Sequence, residues 1–105
     1  MGSSSGMYKL GHCYENGIGV EKDEYKAFIY YQRSSEIGHA DGMYHVGFCY
    51  QHGIGVEKDE SKAFDNYLKS AKMGNSCGML QVGYCYRNGK YVPKDLQKAS
   101  YWYQK

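Results

Sequence analysis

The sequence lacks the features that mark membrane, secreted and nucleic-acid-binding proteins. No apolar run in its 105 residues is long enough to span a bilayer, and the N-terminus does not follow the charged-then-apolar pattern of a secretory signal. Lysine and glutamate residues are interleaved, and the net charge of +2 is close to balanced. Because no basic stripe is present, we expect neither nucleic acid nor a membrane surface as a partner.

Proline is also scarce, with a single residue, whereas the chain has thirteen tyrosines and fourteen glycines. Tyrosine takes the place of aliphatic bulk. Because a buried tyrosine needs a hydrogen-bond partner for its hydroxyl, we expect many rings to lie with their faces in the core and their oxygens at its rim. The length allows at most one small domain, and a chain this short buries only a modest fraction of its surface.

One eight-residue stretch is spelled twice. Gly17–Glu24 returns letter for letter as Gly53–Glu60, and a weaker third copy follows as Gly89–Leu96. The offset is 36 residues each time, and it holds outside the stretch as well. A fixed period of this length predicts an array of stacked structural repeats.

Each repeat begins with a segment that has a helical pattern, which we call helix A. In the first copy Leu10, Cys13 and Tyr14 follow Gly6 on one helical stripe, and Asn16-Gly17 is a natural helix end. Gly11 lies inside this helix, where glycine costs about 1 kcal/mol relative to alanine. All three equivalent positions are glycine, so we expect close contact there with another helix or a tyrosine ring.

A loop and a second helix, helix B, complete each repeat. We expect Ile18 and Val20 to fold back over the helix ends, and Asp23 to cap helix B, as Asp59 and Asp95 do in the other copies. The predicted inner faces of helix B are Ala27, Tyr30 or Tyr31, and Ser34 in the first copy, Ala63, Tyr67 and Ala71 in the second, and Ala99 with Trp102 or Tyr103 in the third. Tyr91 replaces a loop glycine, which predicts a different path for the third loop.

These residues resemble the Sel1-like repeat, a relative of the tetratricopeptide repeat. The matching pattern is Leu10-Gly11, Tyr14, Gly17, Gly19-Val20, Asp23, Lys26-Ala27 and Tyr30-Tyr31. The resemblance implies an all-α fold, an α-solenoid of antiparallel helix pairs in a right-handed superhelix, with helix A on the concave side. It also implies scaffold or adaptor work in signalling and quality-control complexes.

The repeats are expected at residues 6–41, 42–77 and 78–105, the last with a truncated helix B, after a disordered leader or cloning remnant at residues 1–5. Two departures from the family pattern predict looser packing. Glycine stands where alanine is expected near the start of helix A, at Gly6, Gly42 and Gly78. Serine stands late in helix B, at Ser34-Ser35 and Ser70.

Helix A has a second stripe, opposite the inner one, whose residues change from copy to copy while the inner stripe is nearly constant. If helix A lines a groove, this stripe forms an aromatic floor with polar edges, which is typical of peptide-binding grooves. The alternative is a solvent-exposed stripe that varies because nothing constrains it. The candidate partner-binding residues are Tyr8, His12, Glu15, Asn16, Tyr44, Phe48, Gln51, His52, Leu80, Tyr84, Arg87 and Asn88.

The four cysteines are expected to be free thiols. Cys13, Cys49 and Cys85 occupy equivalent, core-facing positions, and Cys77, which falls outside the period, is expected to be exposed. Cys77 and Cys85 lie about 12 Å apart along a helix, too far to bridge. Disulfide-stapled relatives have two cysteines per repeat, a pattern absent here. Free thiols indicate a reducing compartment, so we expect a cytoplasmic location.

Catalytic and metal chemistry have weak support in the sequence. His45 and Cys49 are one helical turn apart with His52 nearby, the spacing of a possible zinc site, but the period explains Cys49 as a core residue. No serine or cysteine nucleophile has a histidine and an acid arranged around it independently of the repeat. We therefore expect no catalytic residue, no metal and no cofactor.

The sequence thus favours a non-catalytic scaffold that binds a protein or peptide on the concave helix-A face. One alternative is a structural spacer array within a larger signalling protein, and a hydrolase-like enzyme is a weaker one. The short last helix is expected to leave Ala99, Trp102 and Tyr103 uncovered, which predicts self-association through the C-terminal repeat.

Overall fold

The computed structural model describes residues 4–104, which fold into three helical hairpins. The helices are α1 (Ser4–Asn16), α2 (Glu24–Glu36), α3 (Ala40–His52), α4 (Glu60–Lys72), α5 (Ser76–Asn88) and α6 (Leu96–Tyr103). Helix A of the successive repeats is α1, α3 and α5, and helix B is α2, α4 and α6. No strand occurs among residues 4–104. The predicted all-α solenoid of helix pairs is confirmed.

The hairpins stack in a row, so that each helix B packs against the helix A that follows it. The stack is elongated, with extents of 43 × 25 × 19 Å. Helix α1 begins at Ser4, two residues before the expected start of the first repeat, and the rest of the expected leader, residues 1–3, lies outside the described residues. No helix in the described part of the chain is both long and apolar enough to cross a membrane.

The start of each helix B is fixed by an aspartate cap, as predicted. Asp23 accepts a hydrogen bond from the amide of Lys26 at 3.1 Å, and Asp59 accepts one from the amide of Lys62 at 3.0 Å. Asp95 caps α6 in the same way. Each carboxylate satisfies an amide that the helix itself leaves unpaired.

The third loop follows the same path as the other two, so the prediction of a different path is wrong. Gly19, Gly55 and Tyr91 occupy equivalent positions with φ of 73°, 74° and 68°. The loop is held by main-chain hydrogen bonds, one of which joins the amide of each cap aspartate to the carbonyl of the last tyrosine of helix A at 2.8–2.9 Å. Because these bonds do not depend on side chains, Tyr91 is drawn into the left-handed conformation that glycine adopts in the other copies.

The core lies between hairpins, in two clusters. The first joins α2 to α3 through Ala27, Phe28, Tyr31, Val46 and Cys49. The second joins α4 to α5 in the equivalent way and consists of Ala63, Phe64, Tyr67, Ala71, Val82 and Cys85. Each cluster therefore contains helix B of one repeat and helix A of the next, and stacking supplies the core. Tyr31, and not Tyr30, is the buried residue of the pair.

The prediction that Leu10 belongs to the core is wrong. Its side chain is 43% exposed, whereas Val46, the equivalent residue of the second repeat, is 4% exposed. Val46 is covered by helix α2 of the repeat before it. The side chain at this position of helix A is thus buried by the preceding hairpin. Leu10 is exposed because no hairpin precedes α1 in the described structure.

The loop residues Ile18 and Val20 are both exposed. Their equivalents Ile54 and Val56 pack against the cluster between α2 and α3. The apolar loop residues therefore seal the junction with the preceding repeat.

The helix-A glycines meet tyrosine rings, as predicted. A Cβ added at these glycines would lie 2.7–2.9 Å from a ring carbon, too close for any side chain. The pairs are Gly11 with Tyr31, Gly47 with Tyr67, and Gly83 with Tyr103.

The glycine near the start of helix A and the serine late in the preceding helix B fit against each other. The expectation that these two departures from the family pattern loosen the packing is therefore wrong. A Cβ at Gly42 would lie 2.5 Å from Ser34 Oγ, and a Cβ at Gly78 would collide with Ser70 Oγ. Ser34 and Ser70 are fully buried. Each serine hydroxyl occupies the space that an alanine methyl group would otherwise take in the next helix.

Candidate functional site

The candidate site is the outward stripe of α1, α3 and α5, which we call the helix-A face and which consists of the twelve residues predicted above. None of the twelve is buried. Leu80 and Tyr84 are the most exposed apolar members, at 58% and 45%. The exposed polar members are His12, Asn16, His52, Arg87 and Asn88, and the half-buried members are Tyr8, Glu15, Tyr44, Phe48 and Gln51.

Rings from α1 and α3 meet across the first junction. The Tyr8 ring lies 5.0 Å from the His45 ring and 5.3 Å from the His39 ring, centroid to centroid. His45 also lies 4.8 Å from Tyr31, and its Nδ1 is 3.1 Å from the Asp41 carbonyl oxygen. Burial lowers the pKa of His45, so this ring favours its neutral form within the cluster.

The aromatic row continues along α3 and reaches α5. The Phe48 ring lies 4.3 Å from His52 and 6.5 Å from Tyr44. Burial raises the pKa of Tyr44, and the nearby side chain of Gln81, on α5, partly offsets this effect. Ring contacts thus join the first two A helices, and Tyr44 of α3 lies beside Gln81 of α5.

A hollow opens on this surface in the third repeat. It is lined by Leu80, Gln81, Tyr84 and Tyr103 and has a volume of about 330 Å³. Apolar side chains form most of its wall, which suits the side chain of an apolar residue.

Four predicted site residues also have a structural task. Tyr8 packs against the cluster between α2 and α3, and Tyr44 packs against the cluster between α4 and α5. Glu15 and Gln51 accept hydrogen bonds from buried tyrosines. The Tyr31 hydroxyl donates a hydrogen bond to Glu15 at 2.6 Å, and the Tyr67 hydroxyl donates one to Gln51. Burial and the Glu15 hydrogen bond raise the pKa of Tyr31. These contacts satisfy buried hydroxyls at the rim of the core, as the tyrosine-rich composition predicted.

Five residues on or beside this surface were not among the twelve predicted ones, and two of them, Gln81 and Tyr103, line the hollow. His39 and His45 join the aromatic row, and Lys90 lies beside it with its Nζ 5.8 Å from the centroid of the Tyr84 ring. Comparison of the copies at the 36-residue offset could have identified Lys90, because this lysine replaces Ile18 and Ile54 of the other copies. His45 gave no comparable signal, since its contacts depend on how two repeats pack.

All four cysteines are free thiols. Cys49 and Cys85 are buried, Cys13 is half-buried, and Cys77 is exposed. Burial raises the pKa of Cys49 to about 12, and it raises the pKa of Cys85 as well. Both thiols are therefore protonated and unreactive in the native protein.

The described residues contain no group of three or more histidine, cysteine, aspartate or glutamate side chains able to hold a metal ion. His45 and His52 instead pack against aromatic rings. Cys49 lies in the cluster between α2 and α3, as its place in the repeat predicts.

Comparison with known proteins gives consistent matches. The Sel1 repeat family model matches residues 4–39, 40–75 and 78–105. A Sel1 repeat protein from Oxalobacter formigenes superposes with a TM-score of 0.95 at 32% identity, over 98% of this chain and 42% of that one. No curated protein sequence matches the chain.

Two further solved structures share the fold. One is c5321, a protective antigen present in uropathogenic Escherichia coli strains, with a TM-score of 0.90 and 31% identity over 98% of this chain and 22% of that one. The other is cysteine rich protein B of Helicobacter pylori, with a TM-score of 0.79 and 24% identity over 96% and 78% of the two chains. The chain thus spans less than half the length of the first two.

Proposed function

Because the chain belongs to the Sel1 repeat family, we propose that it is a non-catalytic scaffold or adaptor that binds a peptide or protein segment on its helix-A face. Sel1 repeats generally mediate protein–protein interactions. We add to this general role the kind of partner, a peptide or protein segment, and the surface that binds it, the helix-A face.

One observation carries the proposal: the helix-A face combines exposed apolar side chains with a polar edge. Leu80 and Tyr84 are exposed on it, and Phe48 is half-buried. Interfaces use aromatic anchors surrounded by polar groups. An exposed apolar surface of this kind is typical of a binding site, whereas a face that merely varied would favour polar residues.

The packing of the helices also supports this face. Helix α1 contacts α3 directly, and both helices also pack against α2. The first two A helices thus present neighbouring side chains, which suits a segment lying across more than one repeat.

The same proposal includes a cytoplasmic location, supported by buried, unbridged thiols. It includes neither nucleic acid nor a membrane surface as a partner. A spacer array within a larger signalling protein is the alternative, and it predicts no specific ligand for the helix-A face.

The test is selection of peptides from a random display library on the folded chain, followed by calorimetric measurement of their affinity. We expect Phe48→Ala and Tyr84→Ala each to weaken a selected peptide at least about tenfold, as for residues that anchor an interface. Tyr25→Ala is the matched control, because Tyr25 is equally aromatic and is exposed on α2.

Thermal unfolding of the variants separates binding from stability, and the melting temperature should stay nearly unchanged. If no peptide is enriched, or if Tyr25→Ala weakens binding as much as Phe48→Ala does, the helix-A face is not the binding site and the spacer alternative is favoured.

A further inference from the structure

The third repeat departs from the other two at a position on the helix-A face. Equivalent positions hold Glu15, Gln51 and Arg87. Glu15 and Gln51 each accept a hydrogen bond from a buried tyrosine hydroxyl. A guanidinium group has no acceptor, so Arg87 cannot take over this structural task. Arg87 is exposed, and its side chain forms no hydrogen bond or ion pair with any residue between 4 and 104.

A second departure adds another cation nearby. Lys90 stands where the first two repeats have Ile18 and Ile54. Its Nζ lies 5.8 Å from the Tyr84 ring centroid and 5.2 Å from the Tyr91 ring centroid. A hydrogen bond with Tyr91 raises the pKa of Lys90, so the ammonium group is charged at neutral pH.

Both cations lie beside the same aromatic residue. Arg87 follows Tyr84 by three residues on α5, so the two side chains are neighbours on one helix surface. Tyr84 and Leu80 also form part of the hollow described above. Arg87 and Lys90 thus each neighbour Tyr84, which lines the apolar hollow, and neither cation is present in the other repeats.

We propose that Arg87 and Lys90 form a subsite for the side-chain carboxylate of an aspartate or glutamate that follows an apolar residue in the bound segment. This inference rests on the proposed function and adds the chemistry of the partner: an acidic, apolar peptide. The guanidinium binds the carboxylate through paired N–H donors, the ammonium adds a second charge, and the neighbouring apolar side chain enters the hollow of Leu80 and Tyr84.

The charge of the rest of the face favours a peptide over a nucleic acid. Nucleic acids are bound by a stripe of cations that follows the phosphates. Here the cations are confined to one end, and the equivalent position of the first repeat is an acid, Glu15. Such a surface fits a segment with acidic residues at one end and apolar residues along the remainder.

The experiment uses three pools of fluorescent degenerate peptides. Each pool has a fixed Leu-Phe pair followed by two fixed positions, which hold Glu in the first pool, Gln in the second and phosphoserine in the third. Binding is measured by anisotropy to the unmodified chain, to Arg87→Glu/Lys90→Ile and to Phe48→Ala. The double variant restores the residues of the first repeat, so the fold should tolerate it, and Arg87→Gln, the residue of the second repeat, is a milder substitute.

Lys69→Glu/Lys72→Gln is the matched control, because it changes the net charge equally at two exposed positions on α4. We expect the unmodified chain to bind the Glu pool about tenfold tighter than the Gln pool, the size typical of a charge-assisted hydrogen bond. The preference should disappear in Arg87→Glu/Lys90→Ile and persist in the control.

Equal binding of the Glu and Gln pools, with both weakened by Phe48→Ala, would overturn the carboxylate subsite and leave the proposed function standing. A preference for phosphoserine over Glu that depends on Arg87 would also overturn it, in favour of a phosphate site. If Phe48→Ala leaves the binding of every pool unchanged, the proposed function itself fails.

Discussion

At the scale of single residues, the stack is fitted together by small side chains that match in pairs. Ser70 Oγ donates a hydrogen bond to the Tyr67 carbonyl at 3.0 Å, and the hydroxyl fills the space above Gly78 on the next helix. Ser34 and Gly42 form the equivalent pair. Serine late in helix B and glycine early in the next helix A are thus one structural feature.

Gly78→Ala should destabilise the protein because the new methyl group meets Ser70 Oγ, the amide nitrogen of Ala71 at 2.9 Å and the carbonyl oxygen of Tyr67 at 3.0 Å. Overpacking of this kind costs about 1–3 kcal/mol, which outweighs the gain of about 1 kcal/mol in helix propensity. In a Ser70→Ala background the cost should fall by about 0.5 kcal/mol or more. Urea unfolding of the four proteins measures the coupling.

Gly6→Ala is the control for this cycle, because Gly6 is the equivalent residue of α1 and is exposed. Because this position is exposed, the substitution should destabilise the protein less than Gly78→Ala does. A Gly78→Ala protein as stable as the Gly6→Ala protein would contradict the proposed fit.

At the scale of elements, the second and third loops pack against the cluster that contains helix B of the repeat before them. A Cβ at Gly55 would collide with the carbonyl oxygen of Glu24 and lie 3.1 Å from Phe28 Cβ, both on α2. Gly19 has the same backbone conformation but no atom within 4 Å of its Cβ position. Alanine substitutions at the two glycines therefore separate the free-energy cost of the left-handed backbone conformation from the cost of the contact with α2.

Gly19→Ala should cost about 1 kcal/mol, the cost of a side chain in the left-handed conformation. Gly55→Ala should cost about 1–3 kcal/mol more, because the loop must move away from α2. Chemical unfolding of the two variants gives both values. Equal costs would contradict a tight contact between the second loop and α2.

Features that depend on one repeat alone could be predicted from the sequence, and features of the junctions could not. The aspartate caps follow from local chemistry, and the glycines under the tyrosine rings follow from the period. The exposure of Leu10 and Ile18 could not be predicted, because burial at these positions comes from a neighbouring hairpin. The match of Ser70 with Gly78 is likewise a contact between two repeats.

For the candidate site, the period identified which stripe of helix A varies but not what its residues touch. The Tyr8–His45 contact joins two repeats, so the pattern within one helix gives no sign of it. Lys90 could have been found as a departure from Ile18 and Ile54. Whether Glu15 and Gln51 also contact a partner stays a prediction.

At the scale of the whole molecule, the two ends of the stack are uncovered. Leu10, Ile18 and Val20 are exposed at one end, and Leu96 and Tyr103 at the other. Ala99, which was expected to contribute to the C-terminal surface, is buried within the stack, because α6 packs its inner face on α5. The self-association predicted from the sequence therefore depends on residues other than Ala99.

We expect the chain to associate at high concentration through the α6 end, and Leu96→Glu to reduce this association. Leu96 is exposed at the start of α6, and the equivalent residues Glu24 and Glu60 show that the position accepts glutamate. Light scattering over a range of concentrations measures the mass. A monomer at all concentrations would contradict the prediction, and so would an unchanged mass for Leu96→Glu.

The central claim is that α1, α3 and α5 present one binding face, and nuclear magnetic resonance tests it most directly. The amide spectrum of the isotope-labelled chain is recorded during titration with a peptide selected on the folded protein. We expect the largest shifts in α1, α3 and α5, around Tyr8, Phe48 and Tyr84. Shifts concentrated in α2 and α4, with these three regions unchanged, would contradict it.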